Sequence, residues 1–324
     1  MSTNGSSAES AVGKRPLVSI ITPTYNRARF LDETIGSVLA QDYRPVESIV
    51  IDDGSTDDTR DVLVKYGDEI TWWTHENIGE TRTVNEGLRA CTGEILAVVN
   101  SDDPLLPGAI TSAVAELEKD PDLLAVYGDW IEIGPDSETI KEVRLPDYDL
   151  RRMLTGSVSM GPGTFFRRRA LDLIGLRDVT CKYTGDLDYW FRLAARGRFG
   201  HIEEFLATHR THPDAASASQ RGAAMADELV QLVRKTYEDP DLSPQIRDVR
   251  RRAFSYIHSA AAFYCGADRV EAFRHYLASF AYAPGVFVRR ALRWVLRKLF
   301  RDRARIRASG IRGRAGKGTK SGGD

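Results

Sequence analysis

Cysteine is scarce in this chain, with Cys91, Cys181 and Cys265 far apart among 324 residues. No two of them form a C-x-x-C pair or show metal-ligand spacing. A redox pair and a zinc site are therefore excluded, and reduced thiols in the cytosol are expected. No run of eighteen apolar residues occurs, so no membrane-spanning helix is expected. Residues 1–14 are rich in Ser, Gly and Ala and lack an apolar core. They do not read as a signal peptide, and a disordered tail over residues 1–15 is expected. No G-x-G-x-x-G follows the first apolar run, and G-x-x-x-x-G-K-[ST] is absent throughout. Both the dinucleotide fingerprint and the phosphate-cradling P-loop are thereby excluded. The D-x-D-x-T order of an aspartyl-nucleophile phosphatase is missing too, because Asp52-Asp53 continues as Gly54-Ser55-Thr56.

Net charge is nearly absent at −1, but it is unevenly spread. From Gly285 to Asp324 there are thirteen lysines and arginines against two aspartates, a local +11 that leaves −12 for the rest. An acidic body with a basic tail points to a divalent cation in the former and an anionic surface for the latter.

Several short apolar runs end in polar loops. Ile95 to Val99 runs into Asn100-Ser101-Asp102-Asp103-Pro104. Leu17 to Ile21 runs into Thr22-Pro23-Thr24-Tyr25-Asn26-Arg27, and Glu47 to Ile51 into Asp52-Asp53-Gly54-Ser55. Ile70 to Trp73 forms another run. Runs of this length read as buried strands, and apolar residues between them recur at helical spacing. The alternation predicts βαβ units, an α/β fold with a mostly parallel sheet, and loops that meet at one sheet edge. Open sheets of this kind bind ligands at the carboxyl ends of their strands. Adjacent carboxylates repel, so Asp102 and Asp103 either flank a cation or merely cap the next helix. Oxygen ligands suit Mg²⁺ or Mn²⁺, and these in turn suit a diphosphate.

The motifs SIITPTYNR (19–27), VIDDGSTDDT (50–59), NIGETRTVNEG (77–87), TGEILAVVNSDDPLLPGA (92–109), GPGTFFRR (161–168), GDLDYWFRLA (185–194) and HRTH (209–212) follow one another in a specific order. As a set they resemble glycosyltransferase family 2, the inverting enzymes of GT-A fold that use nucleotide-activated sugars. The resemblance covers about two thirds of the chain. It implies a Rossmann-like catalytic domain over residues 16–218. By it, Tyr25 would stack on the donor base and Asp53 would accept the base imide, with Pro23 and Thr24 shaping the same loop. The plainer readings are a sheet-edge aromatic for Tyr25 and a turn residue for Asp53. The segment Asn100-Ser101-Asp102 stands in place of the family's D-x-D, with its first acid replaced. Asp103 is then the expected direct metal ligand, and Asp102 would bind the ribose or act through water. Asp186 matches the catalytic base, though Gly185 stands where a glutamate is usual; otherwise Asp186 is a helix cap. Asp188 is read as structural or acceptor-binding. His212 would complete the metal shell, unless it is a plain surface or core histidine. Gly161-Pro162-Gly163 would line the acceptor side, or form a simple turn. Arg27 and Arg82 read as solvated, with phosphate contact as the alternative.

From about Ala223 the pattern becomes purely helical, which predicts a small C-terminal helical region over residues 219–301. Leu229, Leu232 and Val233 mark one helix, Ile246 to Tyr264 a second, and Val270, Phe273, Leu277 and Phe280 a third. Asp268 reads as the N-cap of the third. A fourth, Val286 to Phe300, sets Val288, Leu292, Val295 and Leu299 against Arg290, Arg293, Arg297 and Arg301. Such a helix either lies on an anionic membrane surface through residues 286–301 or docks on the body. Residues 302–324 read as a basic disordered tail. No aromatic or motif there supports a nucleic-acid partner. The expectation is a cytoplasmic inverting glycosyltransferase, peripheral to the membrane if the fourth helix binds it. Its donor would be a nucleotide sugar, with UDP- or dTDP-sugars favoured, and its acceptor a glycan or lipid-linked glycan hydroxyl. The alternative is a nucleotide-sugar-binding protein without turnover.

Overall fold

The computed structural model describes residues 15–156, 160–213, 222–265, 268–290 and 292. In the first half, strand and helix alternate as the apolar runs require. The elements are β1 (Val18–Thr24), α1 (Ala28–Leu39), β2 (Val46–Asp52), α2 (Thr59–Val64), β3 (Thr71–Thr74), α3 (Glu80–Ala90), β4 (Ile95–Val98) and α4 (Ala109–Lys119). The middle comprises β5 (Leu123–Ile133), β6 (Thr139–Val143), α5 (Leu150–Thr155), β7 (Thr164–Arg167), α6 (Arg169–Ile174), α7 (Gly185–Ala194) and β8 (Arg198–Arg210). Helices α8 (Gly222–Glu238), α9 (Pro244–Arg247), α10 (Arg250–Tyr264) and α11 (Arg269–Tyr282) follow.

Among the described residues eight strands form one sheet, in the order β3-β2-β1-β4-β7-β5-β6, with β8 added to β5. β3, β2, β1 and β4 run parallel. β7 then pairs antiparallel with both β4 and β5. The result is a Rossmann-like, mixed sheet whose first half is parallel. β1 extends three residues past the expected Ile21, so Pro23 and Thr24 are strand residues rather than loop. Pro23 is tolerated because the Ile21 carbonyl, two residues earlier on the same edge, meets β4 through Val99 N–H, and β4 pairs no further than Ile21. The missing N–H therefore faces a partner that has already ended.

The core is continuous from sheet to C-terminal helices. Ile21, Ile51 and Leu96 of the sheet, Tyr189 and Trp190 of α7, and Leu229, Val233, Phe254 and Ile257 of α8 and α10 belong to one buried apolar cluster. The boundary expected between residues 218 and 219 lies outside the described residues. Asp268 caps α11 as predicted, its carboxylate accepting the Val270 and Glu271 amides. The apolar stripe that marks α11 nevertheless points outward: Val270, Phe273, Leu277 and Phe280 are exposed, whereas His275 and Ser279 are buried. Of the fourth helix, 284–290 is helical, and 293–300 lies outside the described residues. Arg290, expected on its solvent or lipid face, instead stacks on Tyr256 at 4.5 Å and donates to the Thr155 carbonyl at 3.0 Å. No described helix is long and apolar enough to cross a membrane.

Candidate active site

The ends of β1 and β2 are tied together by backbone, the Asp53 N–H donating to the Thr24 carbonyl at 2.9 Å. Tyr25 emerges here 44% exposed, an aromatic face open to a ligand. Thr24 Oγ1 is buried and has no hydrogen-bond partner among the described residues. Asn26 adopts φ +52°, a conformation its short polar side chain tolerates. Its carbonyl oxygen Oδ1 accepts the Thr56 N–H at 2.8 Å, and its own N–H donates to Ser55 Oγ at 2.8 Å. The Asn26 side chain thus shapes the loop bearing Tyr25, a role not assigned from the sequence.

The two acids ending β2 divide their work. Asp52 is buried and accepts the Ser55 N–H and the Thr74 hydroxyl, fastening β2 to β3. Asp53 accepts the Ile78 N–H on Oδ1 at 2.7 Å and the Gly79 N–H on Oδ2 at 3.0 Å. His75 Nδ1 lies 3.5 Å from Oδ1, so Oδ2 is the less engaged of the two oxygens and retains a second acceptor site. Gly54 makes this closure feasible: its φ is +77°, and a Cβ there would lie 2.7 Å from the Asn77 nitrogen.

The acidic loop after β4 is stitched to β8. Thr208 N–H donates to the Pro104 carbonyl at 2.8 Å, and Leu106 N–H to the Leu206 carbonyl at 2.9 Å. This stitching carries the end of β8 to the acids. Asp102 Oδ2 lies 3.0 Å from His212 Nε2, with Arg27 Nε 3.3 Å from the same oxygen. Arg27, read above as solvated, is thus an ion-pair partner. Asp103 faces inward: Oδ1 accepts the Arg210 N–H at 2.8 Å and Oδ2 the Asn100 amide at 2.9 Å. Burial, and then the neighbouring Asp102 carboxylate, push the Asp103 carboxyl up to about 7. Asp103, the expected direct ligand, is committed to protein partners, and Asp102 is the acid opposite the histidine.

Arg210 was missed by sequence reasoning, although it lies inside the H-R-T-H segment. Its side chain is fully buried. It donates to the Asp102 and Gly134 carbonyls, to Ser137 Oγ and to Glu33, and it stacks over Phe30. One guanidinium therefore joins α1, the β5–β6 turn and the acidic loop.

Asp186 lies in the first turn of α7, exposed, as its helix-start position predicts. Its carboxylate accepts the Leu187 N–H at 2.7 Å. Gly185 is no simple gap for a lost glutamate, since a Cβ there would lie 2.6 Å from Thr81 Oγ1. Asp188 is buried against Arg192 at 2.7 Å, which fits its structural reading. Glu228 of α8, also unassigned from the sequence, accepts the N–H groups of Lys182, Tyr183 and Thr184 and so holds the loop that launches α7. The Gly161-Pro162-Gly163 glycines serve packing: a Cβ at Gly161 would lie 2.4 Å from the Trp130 ring. Arg82 is exposed.

Residues 19–175 match the model of glycosyl transferase family 2. Residues 19–175 thus form a glycosyl transferase family 2 domain. An uncharacterised glycosyltransferase of Rickettsia typhi is 33% identical over 211 residues, covering 61% of this chain and 64% of the relative. The chain thus spans just under two thirds of the length of the first curated relatives. The chondroitin synthase of Escherichia coli is 30% identical over 214 residues, 64% of this chain and 31% of that protein. Two solved structures share the GT-A-type fold. TarS of S. aureus in complex with UDP-GlcNAc superposes with a TM-score of 0.60 at 16% identity, covering 83% of this chain and 92% of that one. Mannosyltransferase PcManGT of Pyrobaculum calidifontis, in complex with GDP-Man and Mn²⁺, gives 0.59 at 21% identity, covering 91% and 85%.

A divalent cation is implied by the family 2 domain, and Asp102 with His212 fits one. The pair offers a carboxylate oxygen and an imidazole nitrogen 3.0 Å apart, a donor set suited to Mn²⁺. His212 Nδ1 is buried without a partner among the described residues, so the ring is not fully engaged by protein. Asp178, Cys181 and Asp188 also lie within ligand distance of one another. There Lys235 and Arg192 pair with Asp178 and Asp188 at 2.6 and 2.7 Å, closer than Arg27 to Asp102 at 3.3 Å.

Proposed function

We propose that this family 2 protein is an inverting glycosyltransferase, moving a sugar from a nucleotide-sugar donor to a hydroxyl of a glycan or lipid-linked glycan. The convergence of Tyr25, Asp53, Asp102 and His212 on one sheet edge carries this reading. Tyr25 stacks on the base, and Asp53 accepts an imide N–H flanked by two carbonyls, a pattern uracil and thymine share. Pro23 and Thr24 form the strand end beneath the base, where the buried Thr24 hydroxyl has no partner among the described residues. Asp102 and His212 hold the cation, whose contribution when bound is to neutralise charge on the departing diphosphate. Asp103 supports this pair from behind rather than coordinating first. Asp186 takes the proton of the acceptor hydroxyl as its oxygen bonds to the anomeric carbon. The UDP-GlcNAc of TarS and the GDP-Man with Mn²⁺ of PcManGT support a nucleotide-sugar donor and a cation. The chondroitin synthase supports a glycan acceptor.

The test is calorimetric binding of UDP, dTDP, GDP and CDP with and without Mn²⁺. Wild type should bind UDP or dTDP with metal dependence, and Asp102→Ala should lose that dependence. Absence of binding by any nucleotide would withdraw the reading. Gly185, closed off by Thr81, leaves Asp186 without the usual acidic neighbour, which keeps a non-catalytic binding protein as a second reading. Asp186→Asn separates the two: an enzyme loses transfer while its donor affinity stays within about threefold.

A further inference from the structure

We propose that the outward face of α11, with the end of α10 and the helical segment after α11, docks on an anionic lipid surface. This inference stands apart from the glycosyl-transfer reading. It begins from an inversion of the usual helix pattern, in which the apolar stripe faces the core. In α11 the core side is polar. Ser279 donates to the Ser255 carbonyl at 2.6 Å, Ser259 and Ser279 lie 2.7 Å apart, and the Nδ1 atoms of His258 and His275 are 2.9 Å apart. The outward side is apolar. Phe273 is 60% exposed and Leu277 53%, with Val270 and Phe280 on the same face. Phe263, at the end of α10, is 72% exposed, and Val288 and Leu292 extend the apolar surface beyond α11. A run of this kind on a water-soluble surface marks an interaction site.

Charge selects the occupant. The apolar face is followed directly by residues 285–324, with thirteen lysines and arginines against two aspartates. Arg269 of α11 is exposed beside it, and so is Arg274, which pairs with Glu271 at 3.1 Å. An apolar face bordered by cations is the pattern of a helix resting in the headgroup region of an anionic bilayer. A second copy of the chain would bring two such basic segments together and be opposed by their repulsion.

The experiment is co-sedimentation of the full chain with vesicles of phosphatidylcholine alone or containing phosphatidylglycerol. Wild type should sediment with the anionic vesicles and weaken with salt. Phe273→Ser with Leu277→Ser should lower that binding about tenfold or more. Nucleotide binding, measured alongside, should be unchanged in this double variant, which shows that it is folded. Failure of wild type to bind anionic vesicles, or equal binding by a folded double variant, would overturn the proposal. So would a concentration-dependent increase in mass in light scattering without lipid, abolished by the same substitutions, which would assign the face to a second copy.

Discussion

At the residue scale, Arg210 governs the site more than any acid that advertises itself in the sequence. Its fork reaches Glu33, Ser137 and the carbonyls of Asp102 and Gly134, and its backbone N–H holds Asp103. A lysine keeps the charge but cannot span these acceptors, because its ammonium is a point donor on a flexible stem. Arg210→Lys should therefore lower stability by about 2–4 kcal/mol, read by denaturant unfolding. Metal-dependent nucleotide binding should fall as well, because the acidic loop and His212 lose their common anchor. Type and order in the sequence bring Tyr25, Asp53, Asp102 and His212 forward as candidates, and the structure sets Asp102 beside His212. The sequence set Asp103 as the direct ligand and Asp102 behind it, whereas Asp103 faces protein partners and Asp102 faces His212, because adjacent carboxylates on a loop differ only in which way the backbone turns them. Nor did the sequence reveal Arg210, whose partners lie 73 to 177 residues away along the chain.

At the element scale, the hairpin of α10 and α11 was legible as two helices with a capped turn, since Asp268 and the apolar spacing are local signals. Which face of α11 is buried was not legible. Periodicity gives a stripe, and only α10's serines and histidine determine that the polar side faces inward. That polar seam predicts a pH response. Unfolded histidine takes up a proton near pH 6.5. In the fold, burial, then the His275 ring and Arg234, hold His258 down to about 4. Between these values the unfolded chain binds a proton that the folded chain refuses, so stability falls as pH drops from about 6.5 towards 4. The slope should be up to about 1 kcal/mol per pH unit, solvent screening at the half-buried His258 being allowed for. Thermal melts across this range should show His258→Gln losing much of that dependence. An unchanged slope would assign the pH response to other groups.

At the scale of the whole molecule, the sheet and the C-terminal helices are bound by a shared core rather than by a linker. Tyr189 and Trp190 of α7 pack in the same buried cluster as Leu229 and Val233 of α8 and Phe254 and Ile257 of α10. Glu228 of α8 also caps the loop carrying Asp186 into place. A change from alternating to purely helical pattern near Ala223 reads in sequence as a boundary, because periodicity records local structure and not what covers it. The packing joins these helices and the sheet in one buried cluster. Calorimetry of the full chain should accordingly give one cooperative transition, with van't Hoff and calorimetric enthalpies in agreement. Truncation after Pro213 should leave no cooperative transition, since it bares the face of α7 that those helices bury and removes Glu228. Two resolved transitions, or a truncated chain that melts sharply and still binds nucleotide, would instead show that the sheet folds alone and that the helices only rest upon it.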